Sequence, residues 1–139
     1  MRVLVDTCVL SEVRRPHPDA RVLQYMQALP DADLFLSVVT IGELANGIAR
    51  LDQGKRRRGL EAWLAQIEQL HGQRILPVDI ETARIWGEIT AKAAQLGKVI
   101  PVADGLIAAT ALRHGLHLVT RNSADFRATG VILIDPWEA

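Results

Sequence analysis

One cysteine, Cys8, stands in 139 residues, which excludes an internal disulfide framework and a thiolate zinc site and suits a reducing compartment. Cys8 reads as a small apolar residue. Long apolar runs are missing too: charge-free stretches such as 34–42 and 105–112 fall far short of the roughly 20 residues that cross a bilayer. At the N-terminus Asp6 follows Val3-Leu4-Val5 at once, too early for the apolar core of a signal peptide. We expect no membrane association and a cytoplasmic location. An excess of one charge is also absent, because 16 Lys and Arg balance 16 Asp and Glu. Any contact with nucleic acid must therefore come from a local patch rather than from the field of the whole molecule. No Gly-x-Gly-x-x-Gly occurs, and Gly42 to Gly47 is not followed by Lys-Ser or Lys-Thr, so dinucleotide and phosphate-loop chemistry find no support. Ser37 and Ser123 lack the context of an activated nucleophile.

What is present is the material of a core. With 49% hydrophobic and 23% charged residues, and with no repeat, low-complexity tract or linker, residues 1–139 read as one domain. Val3-Leu4-Val5 suits a strand, and Val9, Leu10 and Val13 suit a short helix that stops near His17-Pro18. Asp19 can cap a helix carrying Val22, Leu23, Met26 and Leu29, which Pro30 ends, and Leu34-Phe35-Leu36 suits a buried strand. A helix follows with Ile41, Leu44, Ala45, Ile48 and Leu51; Gly54 breaks it ahead of Lys55-Arg56-Arg57-Arg58, which we read as a solvated loop between helices. Leu60, Trp63, Leu64, Ile67 and Leu70 mark the next helix. Residues 75–78 form a strand or a connector, and Asp79 opens a long helix that Gly97 closes. Ala103 to His114 is apolar nearly all round, as in a helix buried mid-fold, and Gly115 ends it. Residues 117–120 and 131–134 are strand candidates rich in β-branched residues. This alternation predicts an α/β fold, a central, mainly parallel sheet flanked by helices.

In such sheets ligands gather beyond the carboxyl ends of the strands. Asp6 follows the first strand, 40–43 the second and 120–125 a late one. Asp104 is the only carboxylate in its apolar helix, where burial is costly without a cation or hydrogen-bond donors. Asp6 and Asp104 each have a plain alternative role as helix caps, Glu43 as a surface acid and Asp125 as a turn residue. Taken together, the four sit where one crevice would collect them.

The succession of motifs, Val5-Asp6-Thr7, Ile41-Gly42-Glu43-Leu44, Ala103-Asp104-Gly105-Leu106-Ile107-Ala108-Ala109-Thr110-Ala111, Thr120-Arg121-Asn122 with Asp125-Phe126, and Pro136-Trp137, resembles a PIN domain of the VapC toxin type. The resemblance is nearest to the FitB-like subgroup and covers essentially the whole chain. It implies a metal-dependent endoribonuclease that is the toxin of a toxin–antitoxin pair, with Asp6, Glu43 and Asp104 as metal-binding acids. Many members carry Asp two residues after the position of Thr120, where this sequence has Asn122. Either Asn122 takes a neutral role, or Asp125 supplies the fourth charge. The resemblance further implies a homodimer, with the apolar helices between residues 19 and 70 as its surface. A VapB- or FitA-like antitoxin would cover the acidic site, and DNA binding would belong to that antitoxin alone.

Elementary chemistry points the same way. Crowded carboxylates repel one another unless a divalent cation neutralises them, and oxygen ligands with retained waters suit Mg²⁺, with Mn²⁺ able to substitute. In this reading Asp6 and Asp104 are the primary ligands, and Glu43 binds through water or deprotonates the attacking water. Thr7 orients Asp6 by its hydroxyl, and Arg121 holds phosphate through its planar fork or pairs with one of the acids. Arg50 and Lys55 to Arg58 form the one concentrated basic patch. Trp63 and Trp86 lie on helical apolar spacings and are expected in the core, whereas Trp137 remains open to base stacking. His71, His114 and His117 receive no metal. The competing reading is a non-catalytic or weakly active α/β binding module with an Mg²⁺-binding acidic site, for instance a receiver-like domain, although Asp6 stands without the acid pair such a domain needs.

Overall fold

The computed structural model describes residues 1–138. Val3, Leu4 and Val5 are fully buried because the strand they form, β1 (Val3–Val5), lies in the middle of the sheet with helices on both faces. Side chains alternate along it as the pleat requires. Val3 and Val5 join one core with Val9, Val22, Leu36, Ile48 and Leu64, while Leu4 joins the other with Ile89, Ile107, Leu118 and Phe126. The remaining strands are β2 (Leu34–Ser37), β3 (Ile75–Leu76), β4 (His117–Val119) and β5 (Leu133–Ile134). All pairings are parallel, in the order β3-β2-β1-β4-β5. The stretch 75–78 thus contributes a strand of two residues, and the last strand is half the length expected, although Val131 ahead of it is still buried.

Helices α1 (Thr7–Arg14), α2 (Ala20–Ala28), α3 (Val38–Ala49) and α4 (Lys55–His71) feed chiefly the first core. Helices α5 (Ile80–Gln95) and α6 (Val102–His114) feed the second, followed by the short α7 (Ser123–Phe126). Asp19 and Asp79 cap α2 and α5, accepting from the amides of Arg21 and Thr82. The run Lys55 to Arg58 is not a loop: it forms the first turn of α4, with Gly54 as the break before it. Helix α6 is buried on most sides, as its composition requires, and Gly115 closes it at φ 64°. Gly105 lets α6 approach α5 closely, since a Cβ there would lie 2.9 Å from the Trp86 ring. Among the described residues no helix is long and apolar enough to cross a membrane.

The strand order places the crevice. The chain steps outward from β1 to β2 and β3, then returns to the other side of β1 for β4 and β5. The reversal falls between β1 and β4, and a crevice opens there at their carboxyl ends. The order also disposes of the receiver-like alternative, whose sheet runs 2-1-3-4-5.

Candidate active site

Asp6 leaves β1 at the switch point, buried to 4% exposure. Its backbone N–H donates to Val119, the last residue of β4, at 2.9 Å. Its carboxylate serves two purposes that the sequence presented as alternatives. Oδ1 accepts from the Thr7 amide at 2.8 Å and so caps α1. Oδ2 accepts from the Thr120 hydroxyl at 2.7 Å, across the crevice from the end of β4. The Cys8 thiol adds a longer contact to the same oxygen at 3.5 Å. Burial and the Asp6 charge push that thiol up to about 11, so it stays protonated and donates. Cys8 is therefore more than a small apolar residue.

Thr7 departs from the expectation. Its hydroxyl turns away from Asp6 and donates to Glu43 Oε1 at 2.7 Å, with Thr40 Oγ1 at 3.2 Å. Only its amide holds Asp6. The reason is the turn from β1 into α1: capping fixes Asp6 against the helix amides, and the Thr7 side chain then faces α3. Glu43 is exposed, as its position opposite the apolar stripe of α3 predicts, yet this hydroxyl directs it.

Asp104 lies in the first turn of α6, half-buried, and accepts no hydrogen bond among the described residues. It is thus not the cap of its helix, whose cap position is Pro101. Burial pushes its carboxyl up from 3.8 to about 6, and the charges of Asp6, Asp125 and Glu43 add to the rise. That list shows which acids share one field. Asp125 sits on exposed α7, where its amide donates to the Asn122 carbonyl at 3.0 Å. Asn122 is exposed, and its amide donates to Thr120 Oγ1 at 3.1 Å. Thr120 is fully buried and bonds both Asp6 and Asn122. It is the site residue that the sequence reading did not assign. A buried hydroxyl at the end of a strand flanking the crevice was the available signal.

Arg121 does not pair with the acids. Its guanidinium lies over the Trp137 ring, 5.2 Å from the centroid, and Trp137 is buried in the core rather than free to stack on bases. Trp63 and Trp86 are half-buried against the first and second cores, as expected. Among the described residues no three acid or His side chains form a preassembled cation cage. The donor set nevertheless suits a hard divalent cation: carboxylates in a common field, one of them short of donors and disfavoured as an anion.

The PIN domain family model matches residues 3–132. This chain belongs to the PIN domain family. The PIN domain is 39% identical to the VapC ribonuclease Y4jK of Sinorhizobium fredii over 98% of each chain. It is 42% identical to the toxin FitB of Neisseria gonorrhoeae over 97% of this chain and 98% of that one. Among solved structures, FitAB bound to the IR36 DNA fragment superposes with a TM-score of 0.92 at 40% identity, covering 97% of this chain and 95% of that one. The resemblance read from the motifs and the architecture of the PIN domain thus agree along its length.

Proposed function

We propose that this PIN domain is the ribonuclease toxin of a toxin–antitoxin pair, an endonuclease that hydrolyses RNA phosphodiester bonds with a divalent metal, Mg²⁺ or in its place Mn²⁺. The observation that carries the reading is the shared field of Asp6, Glu43, Asp104 and Asp125 at the switch-point crevice, which raises Asp104 to about 6. Asp6 and Asp104 would hold the ion, with Glu43 assisting through water and Asp125 as the fourth acid. Asp125 is favoured over Asn122 because its charge acts on Asp104. A bound divalent ion supplies a Lewis acid for the phosphate and lowers the pKa of water.

The chain's own groups do the rest. Thr120 and the Thr7 amide hold the two oxygens of Asp6 in one orientation. Thr7 occupies Oε1 of Glu43, leaving Oε2 free to take a proton from the attacking water. Water adds to phosphorus, the bond to the leaving ribose oxygen breaks, and that oxygen takes up a proton. Arg121 is a positioning candidate for phosphate, held on Trp137 at the crevice edge. The partners in this reading are RNA, a VapB- or FitA-like antitoxin that carries DNA binding, and a second copy of the chain, with a cytoplasmic location. The named relatives support it: one is a ribonuclease, one a toxin, and the FitAB assembly sits on DNA.

The test is cleavage of a panel of tRNA, rRNA and synthetic RNA by antitoxin-free protein with Mg²⁺, Mn²⁺ or EDTA, beside Asp6→Asn and Asp104→Asn. Cutting that needs metal and disappears in both folded variants is expected. Equal cutting by either variant, or none by folded wild type, returns the chain to the non-catalytic binding module.

A further inference from the structure

A groove opens from the inner end of the acid site. Helices α1, α3 and α4 leave a cleft of about 960 Å³ between them, and Thr7 and Glu43 line it as well as the crevice. Leu44, Ile48, Leu60 and Trp63 make much of its wall apolar. Arg14 and Arg15 from α1 and Lys55 and Arg56 from the first turn of α4 give it four cations, and Glu43 is the one carboxylate among the lining residues. Arg14 lies over the Trp63 ring at 5.9 Å.

Two features show that the groove is kept open at a cost to the fold. Gly47 in α3 and Gly59 in α4 both line it, and a Cβ on either would meet nothing within 4 Å. Glycine is the poorest helix former after proline, and no close packing within the chain requires it at these places. Lys55 and Arg56 stand at the positive end of the α4 macrodipole, where cations are disfavoured, and neither has an ion-pair partner among the described residues. An anionic occupant reverses both penalties. The acid cluster itself repels a polyanion, and the whole chain carries no net charge, so cations beside the site have to draw the substrate in.

We propose that this groove binds the unpaired RNA strand adjoining the scissile phosphate. Its phosphates lie along Arg14, Lys55 and Arg56, and a base stacks on the Trp63 and Arg14 pair. The strand is single because duplex pairing hides the base faces that such a wall engages. This assignment rests on the ribonuclease reading above and adds the form of its substrate.

The experiment is fluorescence anisotropy of a short, unstructured, labelled RNA in EDTA, which prevents cleavage, at several salt concentrations with antitoxin-free protein. Gly59→Leu and Gly47→Leu fill the groove and improve helix propensity, with folding checked by circular dichroism. Each is expected to weaken binding about tenfold. Arg56→Ala is expected to reduce the salt slope by about 0.7, and annealing the RNA to its complement to weaken binding. Wild-type affinity and salt slope in all three variants overturn the proposal. If those variants instead lose affinity only for an acidic, apolar peptide, the groove serves a protein segment, and the proposal falls as well. The two readings fail separately. Metal-dependent cutting that survives Gly59→Leu unchanged sinks the groove alone, whereas absent cutting beside groove-dependent RNA binding sinks the nuclease alone.

Discussion

Thr120 donates to Asp6 at 2.7 Å from a position with no solvent exposure, so the orientation of the central carboxylate depends on one hydroxyl. Thr120→Val keeps the shape and removes the donor. Metal-dependent cleavage is expected to fall about 10- to 100-fold, the usual consequence of freeing a ligand's supporting partner. Thr120→Ser should restore most of it. Cleavage rates and Mn²⁺ titrations of the two variants provide the check, and a fully active Thr120→Val denies Thr120 its role. Asp6, Glu43 and Asp104 were legible in the sequence because each acid interrupts or follows an apolar pattern that fixes where it lies. The directions of the Thr7 and Arg121 side chains were not. Rotamers answer to neighbours brought by the fold, Glu43 in one case and the Trp137 ring in the other.

At the scale of elements, the helices were readable from period, cap and breaker, and α1, α2, α3, α5 and α6 lie where those signals put them. The two-residue strands β3 and β5 were harder, because their ends are set by pairing partners rather than by their own residues. The start of α4 was misread for a related reason: four consecutive cations look like a solvated loop, yet Gly54 breaks the chain just before them. Gly105→Ala tests the α5–α6 contact. A methyl 2.9 Å from the Trp86 ring forces a shift of the helix that carries Asp104, at a cost of about 1–3 kcal/mol. Thermal melting should show the loss and cleavage should fall with it, while Gly105→Ala combined with Trp86→Phe recovers part of both. His71, the last residue of α4, offers a pH test. Burial lowers its pKa below 6.5, with Arg74 adding to the effect, and its Nδ1 has no partner. The unfolded chain therefore binds that proton more readily than the folded one. Stability should be full above about pH 7 and decline as pH falls through 6.5. Chemical denaturation of His71→Gln should show a weaker decline over the same range, and an identical slope would remove His71 as its source.

For the molecule as a whole, the surface expected to pair two copies needs revision. The helices between residues 19 and 70 spend most of their apolar side chains on the first core. Val38 and Leu70 remain exposed there, whereas Leu96, Val99 and Val102 cluster around the α5–α6 connection with Val99 at 94% exposure. An apolar cluster of that kind is where association is expected. Val99→Asp with Val102→Asp should give a monomer by light scattering; a dimer unaffected by both moves the interface elsewhere. The sheet carries a last consequence. β1 has both its neighbours from later in the chain, and Asp6 meets its hydroxyl donor 114 residues downstream. A ribosome making this protein releases Asp6 first and Asp104 and Thr120 near the end. Such long-range pairing forms late, so the nascent chain carries no assembled cutting site while most of it is still being translated. The same separation in sequence leaves an interval during synthesis in which an inhibitor has nothing yet to inhibit.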